Sequence, residues 1–235
     1  MALPKLNTPT YELELPSTAQ KIKYRPFLVK EQKILMMAQD SGEDQQIAEA
    51  MGSLVSSCTF GKVDAETSPM FDLEYVFLKI RGKSVGETVQ LSLICPDDGK
   101  TTVAVDLKLD DIEVQMLDNH TNEINISESV KVFFRYPLLN DMKSMDKDST
   151  DIQKVFHFLV NCMHEIHYDD DVYRRIDLKD KEIEDFIDQF TGEQFEMVTN
   201  FFNSMPKLRH TIEVTNPKTK VKSEVVLEGL ESFLG

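Results

Sequence analysis

Between Val89 and Leu107 the chain alternates apolar and polar residues through Val89, Leu91, Leu93 and Cys95. It breaks at Pro96-Asp97-Asp98-Gly99 and alternates again through Val103, Val105 and Leu107. A period of two places one apolar set on one face of an extended strand. A turn containing Pro, Asp and Gly then reverses the direction of the chain. Both apolar sets reach a common core only if the two strands pair as an antiparallel hairpin. The same constraint appears at both ends of the sequence. Thr10 to Leu15 and Lys21 to Arg25 alternate on either side of Pro16-Ser17-Thr18, and Ile212 and Val214 face Val221, Val225 and Leu227 across Asn216-Pro217-Lys218-Thr219. The middle adds two weaker strand signals, one around Asn125 and one from Val130 to Tyr136.

Between these hairpins the period changes to that of a helix. The spacing predicts a helix from Leu28, with Ile34, Leu35 and Ala38 on one side, ending at Ser41-Gly42. A second runs from Glu43 to Ser57 with Ile47, Met51, Leu54 and Val55 on one face. A third is predicted after Ser68-Pro69, with Ser68 as cap and Pro69 in the first turn, through Phe71, Tyr75 and Leu78 to Arg81, with Gly82 as its stop. Asp151 to Glu165 carries Ile152, Val155, Phe156, Leu159, Val160 and Met163 on a broad apolar face. Asp180 to Phe190 and Glu193 to Asn203 flank Thr191-Gly192, and Pro206 closes the last helix.

The expected fold class is therefore α+β, helices with two or more antiparallel β-hairpins. The polar stretch Asp141 to Thr150 suggests a boundary between residues 1–140 and 151–235. The phrases Val105-Asp-Leu-Lys-Leu-Asp-Asp-Ile-Glu113 and Val226-Leu-Glu-Gly-Leu-Glu231 each end a hairpin that follows helices. Duplication of one half and convergence of short amphipathic strands both account for that likeness.

Composition excludes several functions. The chain has 235 residues, 41% of them hydrophobic, enough for a substantial core. Against 26 Lys and Arg stand 41 Asp and Glu, a formal charge of −15. Such a field repels phosphate backbones, so nucleic acid is not an expected partner; it favours basic partner surfaces, though a solvated acidic surface is the simpler reading of the charge. No run approaches the roughly 18 apolar residues that a membrane-spanning helix requires, and Met1 to Pro9 lacks a signal-peptide core. Cys58, Cys95 and Cys162 form no CxxC pair, so buried free thiols are expected rather than disulfides or zinc. Cys95-Pro96-Asp97-Asp98-Gly99 has the look of half a zinc knuckle without its second cysteine.

Chemistry finds no foothold elsewhere. His157 and His164, seven apart, would share a helical face, and His164 and His167 are three apart, so two imidazoles could meet one metal. Yet His164-Glu165-Ile166-His167 is one residue short of the HExxH spacing, which makes polar boundary positions the simpler reading. Asp169-Asp170-Asp171 lacks the alternating ligands of a calcium loop and reads as a solvated loop ending that helix. Gly82-Lys83-Ser84 has the tail of a phosphate loop, but Phe77 stands where that motif needs glycine. No enzyme activity, metal or cofactor is expected. Residues that interfaces favour do stand together: Tyr24, Arg25 and Phe27 lead into the first helix, which carries the adaptable pair Met36 and Met37. The same residues also suit a core, the expectation for Phe27, Leu35 and Phe77. Arg25 and Arg81, flanked by apolar residues, are expected to form ion pairs, within the chain or with a partner.

Five phrases carry a family likeness: Leu15-Pro-Ser-Thr18, Lys23-Tyr-Arg-Pro-Phe-Leu-Val-Lys-Glu31, Leu78-Lys-Ile-Arg-Gly-Lys-Ser-Val-Gly-Glu87, Phe201-Phe-Asn-Ser-Met-Pro206 and Leu227-Glu-Gly-Leu-Glu-Ser-Phe-Leu234. In these the chain resembles the baseplate proteins of T4-like bacteriophages, the small hub-associated subunits. The resemblance implies a non-enzymatic tail baseplate hub protein, a structural subunit or assembly factor, that contacts other hub or tail proteins. It would reside in the virion baseplate, or in the host cytoplasm during assembly. The alternative is a cytoplasmic tail assembly chaperone that binds a hub or tape-measure protein and is absent from the mature virion. Self-association is open. The family brings no catalytic residues. In the last phrase Leu227, Leu230, Phe233 and Leu234 recur at helical spacing, so this end is expected to pack.

Overall fold

The computed structural model describes residues 6–144 and 149–234. In chain order the strands and helices are β1 (Tyr11–Glu14), β2 (Lys21–Tyr24), α1 (Val29–Ser41), α2 (Asp44–Cys58), α3 (Met70–Val85), β3 (Thr88–Ile94), β4 (Thr102–Lys108) and β5 (Glu113–Gln115). They continue with β6 (Glu123–Asn125), β7 (Val130–Phe134), α4 (Leu139–Lys143), α5 (Asp151–Cys162), β8 (Met163–Tyr168) and β9 (Asp171–Arg174). The chain closes with α6 (Asp180–Ile187), α7 (Gly192–Ser204), β10 (Lys207–Thr215) and β11 (Lys222–Glu228). This is an α+β fold with small antiparallel sheets. The helix starts follow local chemistry. Thr150 and Thr191 cap α5 and α7, each hydroxyl accepting from a backbone N–H of a Gln three residues on, whose side chain answers the cap's own N–H.

The described residues form two compact units: one runs to Gln115 and takes in Lys207 onward, the other is Met116–Pro206. The C-terminal hairpin thus groups with the N-terminal residues, and the polar stretch from Asp141 begins within the last turn of α4; residues 145–148 lie outside the described residues.

In the first unit β1 and β2 pair, β3 and β4 pair, and β10 lies between β11 and β5. Leu78 of α3 packs with Val89, Leu91, Leu107, Leu109, Ile112, Leu208, Leu227 and Phe233. Lys79, 8% exposed, reaches across this core. Its ammonium donates to the carbonyls of Leu109, Asp110 and Ile112 at 3.3, 2.9 and 3.2 Å and lies 5.1 Å from the Tyr75 ring. Those bonds satisfy carbonyls at a chain reversal that burial would otherwise leave unmet. The C-terminal phrase packs as expected, with Phe233 fully buried and the Leu234 carbonyl accepting from Arg81 at 2.9 Å. The N-terminal hairpin is tied to α3. Ser17 donates its backbone N–H and hydroxyl to Asp72, and the Phe27 N–H donates to Ser84 Oγ at 2.9 Å.

The second unit holds the sheet β6-β7-β8-β9. Its core gathers Val132, Phe134, Leu159, Met163, Ile183 and Val198 around Phe201. His120 completes it: Nδ1 lies 2.9 Å from Ser204 Oγ and Nε2 3.2 Å from Tyr136 Oη, with its ring against Tyr136 and Phe201.

Three sequence expectations are corrected here. The third helix does not stop at Gly82 but runs to Val85; Pro69, not Ser68, is its cap, without a side-chain bond. The glycine that ends it is Gly86, whose φ of 131° only glycine adopts at low cost. The helix from Asp151 ends at Cys162, and Met163–Tyr168 forms strand β8, paired on one side with β7 and on the other with β9. Burial of Met163 and Ile166, three apart, mimics helical spacing, but strand pairing satisfies the backbone of β7, which a continued helix would leave open. Asp169, with φ 50°, therefore turns a hairpin instead of ending a helix.

Candidate partner-binding face

The site begins at the end of β2. Tyr24 is 3% exposed, with its ring 5.6 Å from that of Tyr11, and burial pushes its phenol up to about 12. Arg25 leaves the strand and turns inward. Its guanidinium donates to Glu31 Oε1 at 2.8 Å, to Ser57 Oγ at 3.1 Å and to the Pro26 carbonyl at 3.0 Å, while its backbone N–H donates to the Cys58 carbonyl at 3.0 Å. Glu31 Oε2 accepts from the Leu28 N–H at 2.8 Å and so caps α1. Burial alone would raise the Glu31 carboxyl. The bonds from Arg25 and Leu28 and the Arg25 charge outweigh it and hold the group down at about 2. One ion pair thereby fixes a strand end, a helix start and a helix end.

What this node holds in place is the outer surface of α1. Met36 and Met37 are 55% and 73% exposed and Val29 67%. Ile34 and Met37 border an open cleft of about 640 Å³, whose other wall is Gln46, Glu49, Ala50 and Ser53 of α2. Small residues on α2 let an incoming side chain or helix approach closely. Phe27 is half-buried, its N–H bonded to Ser84 of α3. Of the five residues singled out in the sequence, Met36 and Met37 thus stand on the surface, while Tyr24 lies in the core and Arg25 in an internal ion pair. Ile34, Val29 and the cleft were missed, since an exposed apolar residue on a helix reads as a core residue until its surroundings are known.

The second unit repeats the node. Arg135, at the end of β7, donates to both oxygens of Asp141 at 2.7 and 2.8 Å and to the Tyr136 carbonyl at 3.1 Å, and its N–H donates to the Cys162 carbonyl at 2.8 Å. Asp141 Oδ2 accepts from the Leu138 N–H at 2.8 Å. In this unit a cleft of about 570 Å³ between α5 and α6 has Phe156 and Val160 on its floor and Asp180, Glu184 and Asp188 on one wall.

The remaining candidates are dispersed. His157 donates through Nε2 to the Asp141 carbonyl at 2.8 Å. His164 and His167 lie on β8, where a separation of three puts them on opposite faces, and His167 bonds to Glu165 at 3.0 Å. Lys83 pairs with Glu87 and Asp110, and Ser84 donates to the Ile80 carbonyl, so both face protein groups. Cys58, Cys95 and Cys162 are buried free thiols. Among the described residues no group of three or more His, Cys, Asp or Glu could hold a metal, and no helix is long and apolar enough to cross a membrane.

Comparison with known proteins gives one match. The family model of the T4 bacteriophage base plate protein covers residues 8–235. No curated protein and no solved structure matches the chain.

Proposed function

The chain belongs to the T4 bacteriophage base plate protein family, a structural component of the phage, and from that premise we propose that it is a non-enzymatic hub subunit or assembly factor acting through protein–protein contacts. The observation that carries this reading is the exposed apolar surface of α1, Val29, Met36 and Met37 beside the α1–α2 cleft. Methionine side chains adapt to a partner's shape at little cost in strain. Arg25 acts from beneath, through its bonds to Glu31 of α1 and Ser57 of α2, while Tyr24 and Phe27 lie on the side of α3. The acidic wall of the α5–α6 cleft suits a basic segment of a hub or tail protein.

Met36→Glu/Met37→Glu tests the face. Both side chains are exposed, so the melting temperature is expected to stay within about 4 °C, since each surface change is usually within about 0.5 kcal/mol. Recovery of the complex with other baseplate proteins from infected cells is expected to fall at least tenfold. Unchanged recovery removes the face from the proposal. The alternative, a chaperone that leaves before the virion is complete, draws on the same adaptable surface. Mass spectrometry of purified particles separates the two: stoichiometric presence supports the subunit, presence in lysate alone supports the chaperone.

A further inference from the structure

The turns of the β3–β4 and β10–β11 hairpins are built alike and face each other. In the first, the Cys95 N–H donates to the Thr101 carbonyl at 2.7 Å and the Gly99 N–H donates back to the Cys95 carbonyl at 3.0 Å. In the second, the Asn216 N–H donates to the Val221 carbonyl at 2.9 Å and the Lys220 N–H to the Asn216 carbonyl at 2.9 Å. Each turn has proline at its second position and a left-handed residue at its fifth, Gly99 with φ 63° and Lys220 with φ 66°. Lysine adopts that conformation only against the clash of its Cβ with the backbone. A shared geometry kept at such a cost marks a specific turn rather than any loop of suitable length.

The first and fourth positions of these turns are Cys95 and Asp98, and Asn216 and Thr219. That is the spacing at which two C-x2-C knuckles present four thiolates to one tetrahedral zinc. The two tips are joined here by side chains 119 residues apart in sequence. Asn216 Nδ2 donates to both oxygens of Asp97 at 3.0 and 3.1 Å, and Thr219 Oγ1 donates to Asp97 Oδ2 at 2.5 Å. Asp98 is met within its own turn by Thr101, through the hydroxyl at 2.6 Å and the N–H at 2.9 Å. Cys95 and Asn216 are 0% and 1% exposed.

We propose that the two hairpin tips form a zinc-ribbon cradle in which hydrogen bonds from Asn216 and Thr219 to Asp97 join the knuckles in place of a metal. The donors explain how two adjacent carboxylates stand beside a buried thiol. Bonds from Thr219 and Asn216 hold the Asp97 carboxyl below its usual range, and Asp98 is lowered by Thr101, while burial and both carboxylates keep the Cys95 thiol protonated. The cradle is separate from the face on α1, so its failure and that of the proposed function are independent.

The test places cysteine at the other three knuckle positions. Asp98→Cys/Asn216→Cys/Thr219→Cys in the full chain, with the native Cys95, is expected to bind one zinc per chain. Its cobalt(II) form should show the absorption of tetrahedral thiolate coordination, and chelator should lower its melting temperature but not that of the parent. A folded triple variant with less than half an equivalent of zinc overturns the proposal. If the triple variant does not fold, a double-mutant cycle of Asp97→Ala and Asn216→Ala decides. Coupling of about fivefold or more in the unfolding constant supports the joined tips, and less than that overturns them.

Discussion

Replacing Glu31 by Gln tests the node that fixes α1. Glu31 is 5% exposed and accepts from Arg25, from the Leu28 N–H, and from Ser57 at 3.2 Å. Glutamine keeps the size but removes the charge, leaving Arg25, with 13% of its side chain exposed, without its counter-ion. The carboxyl sits at about 2 when folded. Against an unfolded value of about 4.3, at about 1.4 kcal/mol per pH unit, the charged form contributes on the order of 3 kcal/mol. For a chain of this size each kcal/mol moves the midpoint by about 2–4 °C, so Glu31→Gln is expected to melt about 6–12 °C lower at pH 7. The sign with pH follows from the lowered folded value. The stabilisation is fully present above the unfolded value and is lost as pH falls through the folded one, so the gap between parent and variant closes between about pH 4.5 and pH 2. Thermal unfolding by circular dichroism across this range reads both quantities. An unchanged midpoint at pH 7, or a gap that persists in acid, refutes the role assigned to this ion pair.

The other predictions rest on separate groups. Lys79→Met leaves three carbonyls, those of Leu109 and Ile112 buried, without their donor and is expected to cost about 2 kcal/mol in denaturant unfolding; a neutral outcome would show that water replaces the ammonium. Phe233→Ala opens the core of the first unit and should cost about 3–5 kcal/mol, whereas a free C-terminal end would lose nothing. Burial, then the neighbouring Glu231, raise the Glu74 carboxyl to about 7 despite Lys207. Because its folded value is raised, its contribution is present below the unfolded value and lost as pH rises through 7. Glu74→Gln is therefore expected to raise the melting temperature at pH 8 and leave it unchanged at pH 4; equal effects at both would place the carboxylate in water.

The sequence alone determined the elements whose signal is local. Period-two runs around Pro96–Gly99 and Asn216–Thr219 became hairpins, and the apolar faces of α2 and α7 became helices, because side-chain direction follows backbone period without regard to the rest of the chain. Where two periods compete, only the tertiary structure decided. Leu159 and Met163, four apart, fit a continued helix, yet β7 needed a partner strand, and the pairing of His164 with His167 disappeared as a result. The exposure of Met36 and the burial of Tyr24 were equally undecidable, since both are apolar and only the placement of α2 and α3 says which of them meets solvent. Arg25 and Glu31, six residues apart across a strand end and a helix start, follow no periodic rule, and neither does the meeting of Asp97 with Asn216. Such contacts depend on how distant segments pack, and a one-dimensional pattern carries periodicity but not distance between segments.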